Sequence, residues 1–504
     1  MKVLIANRGE IAVRIMRACR ELGVATVAVH ADCDRLAPHV RYADEAVALE
    51  ADEAVHSYLR IDKLIDAARR TGADAVHPGY GFLAENADFA QAAVDAGLCV
   101  VGPRPDVIRL MGGKTAAREA AGRAGVPIVP GSGGPLPAGA TDEDLRRTGE
   151  EIGYPLFVKA VAGGGGKGMR LVRPGADIVN AVRGAASEAT AAFGDGAVYL
   201  ERAIERGRHI EVQLLADAHS TVVPFVEREC SIQRRHQKLI EETPSAAVDG
   251  ATRRALADAA AALAREVGYT NAGTIEFLLD GEGKFYFLEM NTRLQVEHPV
   301  TEMVTGLDLV RWQLRIARGE RLAIDPERAL APRGHAMECR VYAEDPDAGF
   351  LPSPGRLSAH RPPGGPGVRV DAGVEPGFEV PVHYDSMVSK LCVWDEDRPA
   401  AIERMLRALG EYEVGGVPTT VPLFRWILRR DDFAAGRFDT TWLDRALAER
   451  GGALFVDPPP DGEETAILAA AVHTALRAGN GDRGRPEAVR SWRRAARLEG
   501  LRWR

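Results

Sequence analysis

A run of glycines that ends in lysine is the first feature that could do chemistry. Residues 162–169 read AGGGGKGM and follow a short apolar run that carries Lys159. Consecutive glycines leave backbone N–H groups open to phosphate oxygens. The run lacks the GK[ST]-to-helix pattern of a Walker A loop and the strand-to-helix fingerprint of a dinucleotide site. A plain turn is the alternative, but the lysines favour a cover over phosphates.

Two glutamates and an asparagine suit a divalent cation. Glu276 lies in GTIEFLLD and Glu289 in FYFLEMNTR, and the turn-forming DGEGK joins the two runs. A hairpin here places both carboxylates on adjacent strands, with Asn291 on the same face as Glu289. Mg²⁺ prefers such oxygen ligands beside substrate phosphates. Ordinary pairing with arginine across the strands is the alternative.

A dense polar stretch, MNTRLQVEHPVTE, follows the second of these runs. Arg293, Gln295 and Glu297 alternate, so an extended segment points all three to one side. An arginine can fork onto a small oxyanion, and a carboxylate can accept a proton. These residue types therefore indicate a site for a small anion with a base beside it.

Further polar side chains follow another strand-like run. Gln233, His236 and Lys238 lie in ECSIQRRHQKLIEETP, and His209 precedes the run IEVQLLAD. A lone histidine is more often a surface residue, or a core residue whose ring nitrogens have hydrogen-bond partners, than a functional residue. Lysine is rare in this chain, whereas arginine is common. Because Arg replaces Lys easily on a surface, a lysine that persists indicates a role for a compact charge.

The elements that must position these residues fall into three predicted units and a tail. Residues 1–112 alternate short β-branched runs with helical periodicity, which predicts a doubly wound α/β unit with a parallel sheet. Residues 113–204 contain a linker rich in Gly and Pro and a flap around the glycine run. Residues 205–447 carry longer alternating strands, which predict a large and mostly antiparallel sheet. Residues 448–504 are predicted to form a helical tail of unknown role.

Composition argues against several classes of protein. The net charge of −8 and the pI near 5.9 disfavour nucleic acid as a partner. No stretch of about 18 apolar residues is present, and the start MKVLIANRGEIAVRI lacks the apolar region of a signal peptide. The six cysteines form no CxxC pair, so we expect free thiols and a cytoplasmic location.

Several long motifs together resemble one family. HPGYGFLAEN, KAVAGGGGKGMR, RHIEVQ, ERECSIQRRHQKLIEE, FLEMNTRLQVEHPVTE, ECRVYAEDP, FLPSPG and YDSMVSKL look like the biotin carboxylase module, which belongs to the ATP-grasp superfamily. The resemblance covers roughly residues 1–447. It implies a multidomain α/β and α+β protein, with a Rossmann-like N-terminal domain and an ATP-grasp pair of flap domain and large antiparallel-sheet domain.

The resemblance also implies roles for individual residues. The implied ATP contacts are Lys114, Lys159, Gly165, Gly166, Glu201, Ile204, His209, Gln233, His236, Glu276 and Glu289. The implied ligands of Mg²⁺ or Mn²⁺ are Glu276, Glu289 and Asn291. The implied bicarbonate and biotin pocket comprises Lys238, Arg293, Gln295, Val296, Arg340 and Tyr80. The implied catalytic residues are Lys238, Arg293, Glu297 as the base that deprotonates bicarbonate, and Arg340 as the cation that stabilises the biotin enolate.

The implied reaction is the MgATP-dependent carboxylation of biotin by bicarbonate through carboxyphosphate, the first half-reaction of acetyl-CoA carboxylase or another acyl-CoA carboxylase. The chain has no AMKM-like biotinylation motif and no lysine after Lys390. We therefore expect biotin on a separate biotin carboxyl carrier protein, and separate carboxyltransferase subunits. A homodimer is also implied, with Arg14, Arg17 and Glu21 of the first helix resembling interface residues.

Two alternatives stay open at this point, and a third fails. Another ATP-grasp ligase that forms an acylphosphate, such as a carbamoyl-phosphate-forming or purine-biosynthetic enzyme, predicts no biotin-dependent turnover. A non-catalytic paralogue that binds nucleotide has no need of Glu297, Arg293 and Arg340. A dehydrogenase fails because the turn ANRGEIA lacks the glycine fingerprint.

Overall fold

The structure, a computed structural model, describes residues 1–137, 139–162, 169–455 and 462–478. The chain divides into two compact units, Met1–Ala453 and Leu454–Arg504. Gly165, Gly166 and Lys167 of the glycine run lie outside the described residues, as does the second helix predicted for the tail. Within the described ranges, no helix is both long and apolar enough to cross a bilayer.

A parallel sheet flanked by helices forms the N-terminal region, as predicted. Its elements are β1 (Lys2–Ile5), α1 (Gly9–Glu21), β2 (Ala25–His30), α2 (Pro38–Tyr42), β3 (Glu45–Ala48), α3 (Ile61–Thr71), β4 (Ala75–His77), α4 (Ala87–Asp95) and β5 (Cys99–Val100). The strand order is β3-β2-β1-β4-β5, and every pair is parallel. The run KVLI is apolar after its first residue because helices cover both faces of a parallel sheet.

Four helices and a small sheet follow. Their elements are α5 (Pro105–Gly112), α6 (Lys114–Arg123), α7 (Asp142–Ile152), β6 (Leu156–Ala160), β7 (Met169–Val172), α8 (Ile178–Phe193) and β8 (Val198–Arg202). The three strands pair antiparallel in the order β7-β6-β8. Since β6 ends at Ala160 and β7 begins at Met169, the glycine run connects two strands, as predicted for a flap. Helix α6 packs Ala117, Ala120 and Ala121 into the core beneath the next and larger sheet.

That larger sheet has nine strands and carries most of the polar motifs. The elements of this region are β9 (Arg208–Ala216), β10 (Val222–Pro224), β11 (Arg228–Arg234), β12 (Gln237–Thr243), α9 (Gly250–Glu266), β13 (Asn271–Leu279), β14 (Phe285–Asn291), α10 (His298–Thr305), α11 (Leu309–Ala317), α12 (Pro326–Leu330), β15 (His335–Tyr342), β16 (Glu344–Asp345), β17 (Leu351–Pro352), β18 (Gly355–Arg356), β19 (Ala359–Arg361), β20 (Val368–Ala372), β21 (Glu379–Val380), β22 (Met387–Asp395), α13 (Arg398–Glu411), β23 (Glu413–Gly415), α14 (Val421–Leu428), α15 (Asp431–Ala434) and α16 (Trp442–Arg450). Its order is β14-β13-β9-β11-β12-β15-β22-β20, with β10 paired to β9, and every pair is antiparallel.

Two local features differ from the simplest interpretation of the sequence. The run TVVPFVERECS forms two strands, β10 and β11, rather than one. The segment from Arg293 to Glu297 is a turn and not a strand, because Glu297 is the N-cap of α10 and Pro299 occupies its first turn. In the second compact unit, α17 (Gly462–Ala478) corresponds to the first predicted helix of the tail.

Candidate active site

A cavity of about 650 Å³ lies between the three-stranded sheet and the nine-stranded sheet. This volume falls within the roughly 300–1,000 Å³ that is typical of small-molecule sites. The residues predicted from the sequence that line it are Lys114, Lys159, Glu201, His209, Gln233, His236, Lys238, Glu276, Glu289, Asn291, Arg293, Gln295, Val296 and Arg340. Residues that are far apart in the chain therefore line one cavity.

Lys238 on β12 lies at the centre of three carboxylates. Its Nζ donates hydrogen bonds to Glu211 at 2.6 Å, to Glu276 at 2.9 Å and to Glu297 at 2.6 Å. Burial alone would lower the pKa of Lys238, but the three carboxylates raise it well above its ordinary value. Lys238 is therefore a permanent cation whose partners an incoming anion can replace.

Glu297 lies between two cations, Lys238 and Arg340. Nη2 of Arg340 donates to one carboxylate oxygen of Glu297 at 2.8 Å, and Nε of Arg340 donates to Glu241 at 2.6 Å. Burial would raise the pKa of Glu297, but Lys238, Arg340 and Arg228 hold it well below its ordinary range. The carboxylate is therefore ionised. Anions that draw these cations away from it will make it a stronger base.

The hairpin of β13 and β14 presents the predicted acidic pair. Glu276 and Glu289 are direct cross-strand partners, and the amide of Asn291 donates to Glu276 at 2.9 Å. Repulsion from Glu276, together with burial, raises the pKa of Glu289. A divalent cation relieves this repulsion, and carboxylate and amide oxygens are the ligands that Mg²⁺ takes in proteins. The residues therefore fit the metal implied by the sequence.

Arg293 is fixed by contacts with three side chains. Nε donates to Glu85 at 2.8 Å, Nη2 donates to Asn291 at 3.0 Å, and Nη1 donates to Gln295 at 3.0 Å. Glu85 lies in the turn before α4, so Arg293 also joins the N-terminal sheet region to the cavity. A guanidinium held in this way is preorganised to fork onto a small oxyanion.

The part of the cavity nearest the small sheet carries further charged groups. Lys159 on β6 and Arg118 on α6 both pair with Glu201 at the end of β8. On the facing sheet, Nδ1 of His209 lies 3.0 Å from the amide nitrogen of Gln233. Cations on one wall and a hydrogen-bonding pair on the other suit a ligand that combines phosphates with a polar ring.

Comparison with known proteins decides which family this arrangement belongs to. Three families match, described as the biotin carboxylase N-terminal domain at residues 1–108, the carbamoyl-phosphate synthase L chain ATP binding domain at residues 113–325, and the biotin carboxylase C-terminal domain at residues 338–445. A biotin carboxylase of Nostoc sp. is 52% identical over 442 residues, which are 88% of this chain and 98% of the relative. The chain belongs to the biotin carboxylase family.

The chain is also similar to proteins that are named for other carboxylases. A pyruvate carboxylase subunit of Methanothermobacter thermautotrophicus is 49% identical over 444 residues, 88% of this chain and 89% of the relative. The biotin carboxylase domain dimer of Hydrogenobacter thermophilus 2-oxoglutarate carboxylase, in complex with MgADP, ADP and bicarbonate, has a TM-score of 0.83 and 45% identity, and the match covers 90% of this chain and 98% of that chain. As a member of the biotin carboxylase family, the chain is an ATP-grasp ligase that carboxylates biotin with ATP, Mg²⁺ and bicarbonate.

A second cavity, of about 490 Å³, adjoins the first. The residues that line both cavities are Arg293, Val296, Arg340, Tyr342 and Asp385. Tyr80, which the resemblance assigns to the biotin side, lines the second cavity and not the first. The biotin carboxylase fold of this chain therefore offers two compartments that meet at Arg340.

Of the predicted site residues that the structure describes, Ile204 and Glu297 line neither cavity. Ile204 follows β8, and its side chain lies beside Gly207. Glu297 is fully buried, and it reaches the cavity only through its contacts with Lys238 and Arg340. The assignment of Ile204 as an ATP contact stays a prediction.

Several charged partners in the site were missed in the sequence. Glu211 pairs with the fully buried Arg228 as well as with Lys238, and Glu241 pairs with Arg340. Alternation along β9 was the available signal for Glu211, because it lies on the same face as His209. No comparable signal marked Glu241 or Glu85, whose partners come from distant parts of the chain.

The three residues of α1 that resemble interface residues differ in their exposure. Arg14 is buried within the chain and pairs with Glu302 at 2.8 Å and with Asp308 at 2.7 Å. The side chains of Arg17 and Glu21 stay 49% and 59% exposed. Of the three residues, only Arg17 and Glu21 are exposed enough to contact a second copy of the chain.

Proposed function

We propose that Glu297 activates bicarbonate for attack on ATP and that Arg340 stabilises the biotin that receives the resulting CO₂. The observation that carries this proposal is the position of the Glu297 carboxylate, held between Lys238 at 2.6 Å and Arg340 at 2.8 Å where the two cavities meet. A buried and ionised carboxylate beside two cations is suited to accept a proton from an anion that those cations bind.

In the first step, Lys238, Arg293 and Gln295 hold bicarbonate beside Glu297. Glu297 takes the bicarbonate proton, and the freed oxygen attacks the γ-phosphorus of ATP. One P–O bond forms as the bond to the β,γ-bridging oxygen breaks, which gives carboxyphosphate and ADP. Lys159 would balance the charge of the phosphates, together with the Mg²⁺ that Glu276 and Glu289 would hold.

In the second step, the C–O bond of carboxyphosphate breaks to give CO₂ and phosphate. The phosphate takes the N1 proton of biotin, and N1 attacks CO₂ to form the new N–C bond. Negative charge develops on the ureido oxygen, where a preorganised cation is most effective. Arg340 supplies that cation because it lines both cavities and stays charged through its pairing with Glu241.

The division of the chain at residues 112, 204 and 447 suits this sequence of steps. We propose that the unit at residues 113–204 closes over the phosphates, with Gly165 and Gly166 in its glycine run. Carboxyphosphate is destroyed by water, so closure protects it. His209 and Gln233 lie on the facing sheet and His236 in the turn between β11 and β12, where they contact the nucleotide in this proposal.

We further propose that the biotin is borne by a separate carrier protein and that separate carboxyltransferase subunits pass the carboxyl group to acetyl-CoA. A homodimer that uses Arg17 and Glu21, and a cytoplasmic location, are part of the same proposal. Relatives of similar identity are named for pyruvate and 2-oxoglutarate carboxylases, so purified transferase subunits offered with each acceptor in turn test the choice of acetyl-CoA.

Isotope transfer tests the bicarbonate step directly. Incubation of the chain with MgATP, biotin and ¹⁸O-labelled bicarbonate is expected to place one ¹⁸O atom from bicarbonate in each inorganic phosphate released. Phosphate that carries oxygen from water alone would show that bicarbonate does not attack ATP, and it would overturn the role of Glu297.

A further inference from the structure

Lys390 on β22 makes a contact that the steps above do not use. Its side chain is 0% exposed, and its Nζ donates to the backbone carbonyl of Val296 at 2.7 Å. Val296 lines the first cavity and the second and precedes Glu297, so this carbonyl belongs to the peptide bond that joins Val296 to the base. A buried ammonium that holds a single main-chain carbonyl fixes the plane of that peptide.

The register of the sheet places Lys390 directly opposite Arg340. Cross-strand partners in an antiparallel pair lie on the same face, and two like charges there are destabilising unless anionic groups surround them. Lys390 binds the carbonyl of Val296, and Arg340 binds the carboxylate of Glu297 at 2.8 Å. Lys390 and Arg340, which are neighbours in the sheet, thus bind the carbonyl of Val296 and the side chain of Glu297, which are neighbours in the chain.

An anionic partner of Lys390 comes from the N-terminal region. Glu10 in the first turn of α1 lies 3.3 Å from Nζ of Lys390 and lines the second cavity. This contact requires α1 to approach the end of β20 closely. Gly373 allows it, because a Cβ at that position would lie 2.4 Å from the backbone nitrogen of Glu10. Glu10 and Lys390 therefore join the second cavity to the segment that carries the base.

We propose that Lys390 is a positioning residue for bicarbonate, which orients the Val296–Glu297 peptide from beneath the site and is itself held by Glu10. The inference rests on the proposed function, since it assumes that bicarbonate binds beside Val296. Lys390 lines neither cavity. It acts through the backbone of Val296 and the orientation of Glu297, and so it complements the hold that Lys238 and Arg340 have on the carboxylate.

The charge states support this role. Burial would lower the pKa of Lys390, but Glu10, Glu338 and Asp371 raise it, so the ammonium persists as a donor. Burial raises the pKa of Glu10 to about 7 even though Lys390 opposes the shift. A neutral amide is therefore a mild replacement for Glu10, and Glu10→Gln gives a background in which Lys390 can be changed without leaving the Glu10 carboxylate unpaired.

The test compares Glu10→Gln with the double variant Glu10→Gln/Lys390→Met in steady-state ADP release. Methionine fills the space of the lysine stem and cannot donate. The double variant is expected to raise the KM for bicarbonate about tenfold over Glu10→Gln, in line with the cost of misplacing a reacting group. The KM for MgATP and the melting temperature are expected to stay close to those of Glu10→Gln. Lys284→Met, whose side chain is 66% exposed, is the matched control and is expected to behave like wild type.

The outcomes separate the inference from the proposed function. Wild-type ATP cleavage that ignores bicarbonate would overturn both. Wild-type cleavage that needs bicarbonate, with an unchanged bicarbonate KM in the double variant, would overturn the role of Lys390 alone. A fall in kcat and in melting temperature, together with a rise in both KM values, would show that Lys390 is purely structural. That result would also overturn its role as a positioning residue. If the double variant does not fold, Lys390→Gln, whose shorter amide stops short of Val296, gives the same comparison.

Discussion

The guanidinium of Arg340 donates to the carboxylate of Glu297 at 2.8 Å, and both side chains are buried. The group assigned to bicarbonate and the group assigned to biotin are therefore in contact before either substrate binds. An ion pair of this kind orients both partners, but it also lowers the basicity of Glu297. A substrate that binds to either residue must share or replace this contact. The hydrogen bond therefore couples the bicarbonate side of the site to the biotin side.

Replacement of Glu297 by glutamine is expected to abolish the activation of bicarbonate. The amide keeps the shape, and its one oxygen can accept from either Lys238 or Arg340, but it cannot take a proton. The bicarbonate-dependent kcat is expected to fall by roughly 10²–10⁴ in a coupled assay of ADP release. MgATP affinity, measured by calorimetry, should change little. Glu282→Gln, at a side chain 75% exposed, is the control. Activity within tenfold of wild type would remove Glu297 as the base.

Replacement of Arg340 by glutamine is expected to separate the two steps. ATP cleavage that depends on bicarbonate alone should persist at a reduced rate, because Lys238 and Arg293 remain. The stimulation of ATP cleavage by free biotin should fall by about 10² or more, since the ureido oxygen loses its preorganised cation. Arg361→Gln, at a side chain 77% exposed, should keep both activities. Full biotin stimulation in Arg340→Gln would contradict the assignment.

Replacement of Glu289 by glutamine is expected to weaken metal binding without harming the metal-free fold. Glu276 repels Glu289 and raises the pKa of its carboxyl, so a neutral amide at this position removes the repulsion between the two carboxylates. The melting temperature without metal should stay equal or rise. The further rise produced by MgATP should shrink, with a fall in apparent metal affinity on the order of tenfold or more. Glu327→Gln, 70% exposed, is the control. An undiminished MgATP shift would exclude Glu289 as a ligand.

His77, at the end of β4, is expected to make the fold sensitive to acid. Burial lowers the pKa of His77 from 6.5 to about 4, although a hydrogen bond with Gln313 opposes the shift. The unfolded chain takes up this proton below about pH 6.5 and the folded chain does not, so stability falls as the pH drops from about 6.5 to about 4. The loss is on the order of 3 kcal/mol for a shift of this size.

Denaturant unfolding at about pH 7 and about pH 5 tests this. Nδ1 of His77 accepts from the backbone N–H of Gly79 at 3.0 Å, which requires the neutral ring. His77→Gln should be less stable near neutrality but should lose less stability on acidification than wild type. His56→Gln, at an exposed histidine, should run parallel to wild type. An unchanged slope in His77→Gln would assign the acid sensitivity to other groups.

The hairpin of β13 and β14 shows what the sequence could establish. Two alternating runs and the turn DGEGK specify the hairpin, which puts Glu276 and Glu289 on adjacent strands with Asn291 near Glu289. Their direct pairing also needs a register shift between Glu276 and Phe277, which the sequence pattern does not show. The parallel N-terminal sheet followed from the alternation of strands and helices for the same local reason. Where short-range periodicity determines the geometry, sequence reasoning is sufficient.

The charged partners could not be predicted in this way. Glu241 and Arg340 are 99 residues apart, and Arg14 and Glu302 are 288 residues apart, so no local pattern brings them together. Alternation also misled at Arg293 to Glu297, where a cap and a proline begin α10 instead of continuing a strand. Tertiary pairing decided the positions of the charged partners.

The most direct test is the formation of carboxybiotin by the purified chain. The chain is incubated with MgATP, ¹⁴C-bicarbonate and free biotin, and the acid-labile label on biotin is counted beside the ADP released. Biotin that gains label only when ATP is present, in proportion to the biotin-stimulated ADP, is the expected result. ATP cleavage that leaves no label on biotin would contradict biotin carboxylation and favour another ligase that forms an acylphosphate.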